Sequence, residues 1–291
     1  SADLHAILHL MYSRFIQMVL ADLGLVRSKI PFANLLAQGM VLQGGAKMSK
    51  SKGNVVDPDT IISQYGADTA RLFILFAAPP DKDLEWSDEG IEGAYRFINR
   101  VWRLVIEYLD LIKDVSPEVG GDLGPKERTL RRIVHSSVKK VTNDVSKRFS
   151  LNTAISAIME MVNGMYQYKD TPVDEQNLSV VREAVELLLL VLAPFTPHVT
   201  EELWHRLGYE ESIHAQPWPE YDEEATQADE ITIVVQINGK VRDRVVVPAE
   251  SDTETVKEAV FAQPRVQEYV EGKEIVKTVV VPGKLVNIVV K

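Results

Sequence analysis

Gly44-Gly45-Ala46-Lys47-Met48-Ser49-Lys50-Ser51-Lys52-Gly53-Asn54 is the stretch on which the reading of this chain turns. It sets cations and hydroxyls between glycines, whose backbone freedom lets a segment close over a ligand and reopen. Upstream, the apolar run Leu35 to Leu42 reads as a buried strand, so a strand delivers a flexible cationic loop. An ammonium on a flexible stem follows charge as it moves onto a leaving phosphate, and that developing charge is what an electrostatic catalyst must stabilise. The plain competing reading is a solvated surface loop rich in Lys and Ser. The flanking sequence has to decide between them.

Downstream, Asp57-Pro58 pairs an N-cap with the proline of a first helical turn, predicting a short helix to Tyr65 closed by Gly66, then a helix from Ala67 to about Ala77. Upstream, Leu4, Ile7, Leu8, Met11, Phe15, Met18 and Val19 follow helical spacing, and Gly24 ends that helix. Pro79-Pro80 breaks the chain before a long amphipathic helix from Asp88 to about Lys113, and Ser116 to Pro125 is a turn-rich linker. Leu130, Val134, Val138, Val141, Val145 and Phe149 mark one buried stripe, and helices also fit 152–168, 174–192 and 196–207, predicting an antiparallel bundle. Beyond Pro217-Trp218-Pro219 the period changes. Ile231 to Ile237 alternates, Asn238-Gly239 supplies a hairpin turn, Val241 to Val247 returns, and helical pieces near 253–261 and 266 precede strands at 274–281 and 285–290.

Three domains are therefore expected: 1–87 around the cationic loop, 88–220 as the helical bundle, and 221–291 as a small β-β-α-β-β unit. At 291 residues the chain has room for two or three hydrophobic cores, and 45% hydrophobic with 25% charged residues is ordinary globular composition. With no cysteine, disulfides, thiol catalysis and cysteine-held metals are excluded, and a cytoplasmic setting is the expectation. No apolar run approaches the roughly 20 residues needed to span a bilayer, and 1–5 shows no secretory signal. The net charge of -10 hides segregation: Lys126 to Arg148 is strongly basic, while Asp170 to Glu230 is acidic.

Lys47-Met48-Ser49-Lys50-Ser51, the Gly-Asn after it, the capped helix at Asp57-Pro58 and Tyr65-Gly66-Ala67-Asp68-Thr69-Ala70-Arg71 together resemble the downstream half of a class I aminoacyl-tRNA synthetase catalytic domain. Leu72-Phe73 through Pro79-Pro80, Asp83-Leu84-Glu85-Trp86-Ser87-Asp88, Arg96-Phe97 and Arg100-Val101-Trp102-Arg103 look leucyl-type. Val235-Gln236-Ile237-Asn238-Gly239-Lys240-Val241-Arg242 and Val281-Pro282-Gly283-Lys284-Leu285 are similar to the small C-terminal domain of bacterial leucyl enzymes, an ending that valyl and isoleucyl enzymes lack. The resemblance implies a multidomain α/β plus α fold: the C-terminal part of a Rossmann-like catalytic domain, an antiparallel helical bundle of the anticodon-binding type, and a small C-terminal α+β domain.

It further implies ATP as substrate, with Mg2+ accompanying the nucleotide. Lys50 would be the main cation on the phosphates with Lys47 helping, Ser49 and Ser51 would orient the loop, and Met48 would pack near the adenine. The reaction implied is leucine activation to leucyl-adenylate and transfer to tRNA(Leu). The family's His-x-Gly-His motif, amino-acid pocket and editing domain are not among these residues, so activity is expected only with a complementary half, whether this is a subunit of a split enzyme or an excised piece. Half of the Rossmann-like sheet would then be missing and an apolar face of 1–80 exposed. A tRNA-binding module without chemistry, or a valyl or isoleucyl-type fragment, are the alternatives.

For tRNA contact, Arg96, Arg100 and Arg103 should share one helix face, as should Arg128, Arg132, His135 and Lys139 on the next long helix. Lys240, Arg242 and Arg244 alternate along a strand and should point from one side of the sheet, opposite Val241 and Val245. In each case a solvated polar face is the competing explanation. His5 and His9 stand four apart, but no supporting ligand is evident and no metal is assigned.

Overall fold

A computed structural model describes residues 6–34, 36, 38–227, 230–249 and 251–291, with the side chains of Ala6, Lys50, Arg148 and Glu230 outside that description. Leu4, His5 and Leu35, used in the reading above, lie outside the described residues. The chain divides into two compact units, Ser1–Leu123 with Ser136–Tyr221, and Gly124–His135 with Asp222–Lys291.

In the first unit, a π-helical turn Ala6–Tyr12 runs into α1 (Ser13–Asp22), which ends at Gly24 with φ 73°. Its apolar stripe is not buried: Ile7, Leu8, Met11, Phe15 and Met18 all stay exposed. The expected long strand is reduced to β1 (Val41–Gln43), and it is only half-buried. The residues before it bond elsewhere, Gly39 N–H to Pro80 O at 2.8 Å and Met40 N–H to the Asp83 carboxylate at 2.8 Å. Gly44 and Gly45, both left-handed at φ 62° and 70°, turn the chain back into β2 (Ala46–Lys47), as a two-residue hairpin requires. β3 (Leu84–Glu85) lies parallel to β1, giving a three-stranded sheet in the order β2-β1-β3.

Asp57 caps α2 (Pro58–Tyr65) by accepting from Asp59 N–H at 3.2 Å, and α3 (Ala67–Ala77) follows. Ser87 caps α4 (Asp88–Ile112) in the same way, through Gly90 N–H at 3.1 Å. Next come α5 (Pro125–Asn143), of which the part up to His135 is counted with the second unit, a π-helical turn Asp144–Arg148, and α6 (Leu151–Lys169). The buried stripe of α5 stops at Val141, because Phe149 adopts φ 49°, ends the helix and is half exposed. α7 begins at Leu178 rather than 174, since the Asn177 side chain accepts from Ser179 and Val180 N–H and sets the start there. α7 (Leu178–Leu192) and α8 (Pro197–Arg206) complete the helices of this unit.

Val101, Leu104, Val105, Ile155, Ile158, Val185, Leu188 and Leu203 are wholly enclosed between α4, α6, α7 and α8. Fully burying side chains of this size contributes about 1.5–3 kcal/mol each. One cation sits in that core. Arg182 donates to the carbonyls of Ile112 at 3.2 Å and of Lys113 and Leu207 at 3.4 Å, and pairs with Glu186. Those carbonyls close α4 and α8, the electronegative ends of helices, which suits a buried guanidinium. Burial pushes the Arg182 pKa down, but hydrogen bonds to Tyr209 and Glu186 outweigh it and hold the group firmly charged. Trp204, stacked on Tyr209 with centroids 3.9 Å apart, is a buried core residue, whereas Trp218 is partly exposed and bonds Thr142.

In the second unit, β4 (Glu230–Ile237) and β5 (Lys240–Pro248) form a hairpin across Asn238-Gly239, both with positive φ. α9 (Thr253–Phe261), α10 (Pro264–Val270), β6 (Ile275–Val281) and β7 (Leu285–Val290) follow. The sheet order is β5-β4-β7-β6, with β4 and β7 parallel at the centre. Ile233, Val235, Val245, Val286 and Ile288 from one sheet face enclose Val256, Val260 and Val266 of the two helices.

Candidate functional site

The Lys47–Ser51 segment is held by a small framework at the end of β1. Lys47 belongs to β2, opposite Leu42, and its side chain is exposed, so it is fixed in a strand rather than carried on the loop as the sequence suggested. Met48 and Ser49 are half-buried, and Ser51 is exposed. Lys50 opens a single 3-10 turn, Lys50–Lys52, closed by Lys52 N–H on Ser49 O at 3.0 Å, and its side chain lies outside the described residues. The Ser49 and Ser51 hydroxyls bond each other at 2.6 Å. Gly53, at φ 68°, then releases the chain.

Asn54 is the residue that ties this together, and the sequence reading gave it no role. Its Oδ1 accepts Ser49 N–H at 2.9 Å, and its Nδ2 faces the carbonyls of Gln43, Ala46 and Lys47 at 3.3–3.5 Å. One amide side chain therefore links the β1-β2 hairpin to the turn after it. The signal was available: an Asn directly after a glycine is a typical backbone-bonding turn residue. Glu85 of β3 accepts Gly45 N–H at 3.1 Å from the other side. The result is a cation-bearing loop with a rigid base and two glycine ends, an arrangement suited to meeting an anionic ligand.

The basic helices are less uniform than their spacing suggested. Arg96 is exposed and pairs with Glu92 at 3.6 Å, and Arg103 is exposed with its Nε on Asn99 O. Arg100 instead lies 4.8 Å over the Tyr166 ring and bonds Asn163 at 3.0 Å, so it clamps α4 to α6. On α5, Arg128 is exposed and Arg132 is half-buried, and the Lys139 ammonium sits 5.4 Å over the Tyr221 ring. His135, expected on the same solvent-facing side, is buried, and its Nδ1 accepts Asp222 N–H at 3.2 Å. Burial pushes the Asp222 carboxyl up, but the N–H groups of Ala225 and Glu224 and the Arg131 guanidinium at 3.2 Å bring it below the usual range.

On β5 the expected single cationic side is broken. Register runs Val235 opposite Asp243 but Gln236 opposite Val241, so Arg242 is an extra residue in a bulge. Residues directly opposite in an antiparallel pair share a face. Lys240 therefore lies on the side of Ile237, and Arg244 on the other with Val234. Arg242 turns toward α10, with its guanidinium 4.6 Å over the Tyr269 ring. All three cations are exposed, but so is Val241, which was expected to face inward with buried Val245. Alternation alone cannot foresee a bulge.

Two further groups lay beyond sequence reasoning. Asp68, at the start of α3, is buried, accepts Val199 N–H at 2.7 Å and lies 2.8 Å from His198 Nδ1, capping α8 from 131 residues away. Arg71 bonds Pro194 O at 3.0 Å just before that helix. Among the described residues no cluster of three His, Asp or Glu is placed to hold a metal, and no helix is long and apolar enough to cross a membrane.

Residues 9–87 match the family described as tRNA synthetases class I (I, L, M and V), and residues 127–258 match the anticodon-binding domain of tRNA ligase. The chain is 53% identical over 288 residues to a leucine–tRNA ligase of Citrifermentans bemidjiense, covering 98% of itself and 35% of that protein. It is also similar to the Agrobacterium radiobacter K84 agnB2 LeuRS seen in a ternary complex with tRNA and LeuAMS, at 36% identity and a TM-score of 0.79, over 99% of this chain and 37% of that one. The chain thus spans about a third of the length of the relatives it matches.

Proposed function

From the premise that this chain is homologous to leucine–tRNA ligase over nearly its whole length and corresponds to about a third of such an enzyme, we propose that it supplies the ATP-handling loop and the tRNA-gripping helices of a leucine–tRNA ligase. The observation that carries this reading is the Lys47–Ser51 segment, seated on a hairpin by Asn54 in a chain with this similarity. Lys50 would bring its ammonium to the triphosphate, with Lys47 beside it from β2 and Met48 near the adenine. The hydroxyls of Ser49 and Ser51, bonded to each other, would hold the turn in shape. As leucine attacks the α-phosphorus, negative charge grows on the departing pyrophosphate, and a cation positioned there lowers the barrier. Mg2+ would travel with the nucleotide's phosphates.

The exposed Ile7, Leu8, Met11, Phe15 and Met18 support the need for a second body. An apolar surface this continuous is a contact surface, and the complementary catalytic half is the partner this reading assigns to it. For tRNA(Leu), exposed Arg96, Arg103 and Arg128, with Arg132 and Lys139 beside it on α5, would follow the phosphate backbone, and Arg100 would act by fixing α4. Lys240, Arg242 and Arg244 would meet RNA at the turn end of the β4-β5 hairpin rather than across one sheet face. A purely tRNA-binding role would have no use for the lysine loop.

The test joins the chain to the remaining two thirds of the enzyme and measures leucine-dependent ATP–pyrophosphate exchange. Lys50→Ala should lower the exchange rate about 10²–10³-fold, the size of losing one transition-state charge partner. Full exchange with Lys50→Ala removes the catalytic role. Activation of valine or isoleucine in place of leucine would give the specificity to another member of the class.

A further inference from the structure

In the first unit a cavity of about 440 Å³ opens among the start of α3, one face of α4 and the start of α8, away from the lysine loop. Its walls are unusually aromatic. Tyr65 and Tyr95 meet edge to face with centroids 5.6 Å apart, and Trp102 and Ile98 continue the lining from α4. Asp68 also borders the cavity, but both of its oxygens are engaged, with Val199 N–H and with His198 Nδ1. Its hydrogen-bonding oxygens are therefore taken within the protein, and the His198 ring, 75% exposed, is left with Nε2 for other partners.

The polar edges of the lining are open. Among the described residues, the hydroxyls of Tyr65 and Tyr95 and the indole N–H of Trp102 make no hydrogen bond, and Asn99 uses only its Nδ2, on Tyr95 O. The cleft thus presents flat apolar faces with separate donors and acceptors at their edges. An aliphatic ligand would leave those edges unmet, which is costly once water is displaced. A phosphate or carboxylate would meet the Asp68 carboxylate at the wall. Arg206 lies 5.2 Å over the Trp102 ring but is paired with Glu202 at 2.7 Å, so it offers an anion no free charge at the opening. A planar heterocycle with hydrogen-bonding edges meets every condition, and 440 Å³ falls in the range of small-ligand sites.

We propose that this cleft binds one nucleobase, taken either from a free nucleoside or nucleotide or from an unstacked residue of RNA. Stacking on tyrosine and tryptophan faces accepts any base, while Asn99, the two phenols and His198 Nε2 read its edge. The site is separate from the loop that handles ATP and does not depend on the chain being part of a ligase.

The full chain, isotopically labelled, would be titrated with adenosine and uridine, which lack phosphate, and separately with a single-stranded RNA oligonucleotide carrying 4-thiouridine. Saturable shifts are expected at the Trp102 indole N–H and at residues 95–102 and 198–199, together with a photocrosslink to Tyr95 or Trp102 if RNA is the source. Binding of nucleosides without the crosslink assigns the site to free nucleosides. Tyr95→Ala, at a partly exposed position that leaves the fold intact, should weaken binding about tenfold, the loss expected for one stacking partner. Absence of saturable shifts with both ligands, shifts confined to 47–54, or unchanged affinity in Tyr95→Ala and Trp102→Leu alike would overturn the proposal. Pyrophosphate exchange by the joined enzyme reports on the lysine loop alone, so the two readings fail separately.

Discussion

Between Ile7 and Thr60 no described residue is buried, whereas Val101, Leu104, Ile158 and Leu188 in the following helices are wholly enclosed. The two regions have similar apolar content in their helices, and α1 carries as clear a stripe as α6. What differs is whether a second surface is present to receive it. α4, α6, α7 and α8 cover one another and hold a buried cation at their meeting point. α1 and the β2-β1-β3 sheet are shaped by local caps, turns and a few side-chain bonds; the apolar stripe of α1 remains open and β1 is only half-buried. Hydrophobic stabilisation follows area removed from water, so stability is concentrated in the bundle and the lysine loop stands on the weaker region.

The sharpest way to break that contrast is at Arg182. Arg182→Ala would strip the half-buried Glu186 of its cation, leaving it the Tyr209 hydroxyl, and would leave three carbonyls without their donor, at a cost of about 3–5 kcal/mol. Urea unfolding of the isolated chain should show it, and a loss under about 1 kcal/mol would mean the cation is a passenger in the core. A matched pair comes next. Leu188→Ala should cost about 2–5 kcal/mol through the cavity it leaves. Phe15→Ala should change the same measurement by less than about 0.5 kcal/mol, because Phe15 is exposed. Joined to the rest of the enzyme, the Phe15 variant should instead weaken association.

Gly39→Ala probes the smaller framework. A Cβ there would stand 1.9 Å from Lys82 O, so the segment before β1 must move off the turn before β3, costing about 1–3 kcal/mol locally. Amide exchange should quicken from Gly39 to Ser49 and stay unchanged in α6 and α7. The smallest effect is electrostatic. Burial pushes the Glu201 carboxyl up, but the Ile213 N–H, the Ser212 hydroxyl and the His205 imidazole outweigh it and hold it below the ordinary glutamate range. A carboxyl depressed in the folded state stabilises the fold above its unfolded pKa, and the effect is lost as pH falls through the folded value. Glu201→Gln should therefore lower stability near neutral pH by less than about 1 kcal/mol and flatten the loss below about pH 4.5, read from urea midpoints between pH 3 and 7.

Much of the candidate site could be read from residues alone. The lysine loop, its glycines and the capped helix after it announce themselves because their chemistry is local. The partners of Asn54 are not legible in the letters around it, since Gln43, Ala46 and Lys47 meet it only once the hairpin closes. The basic residues were found, but not their surroundings. Arg100 faces a tyrosine from α6, His135 is enclosed, and the bulge at Arg242 parts Lys240 from Arg244.

Sequence by itself determined where elements start and stop. Asp57, Ser87, Asp252 and the Asn238-Gly239 turn each act on backbone groups within about four residues, so their effect is written into neighbouring letters. Only the tertiary structure decided which apolar stripe is buried and which is open, that Asp68 caps a helix 131 residues further on, and that Arg182 gathers carbonyls from two helix ends. Those outcomes depend on which surfaces meet, and a side chain's burial is a property of its neighbours in space rather than of its place along the chain.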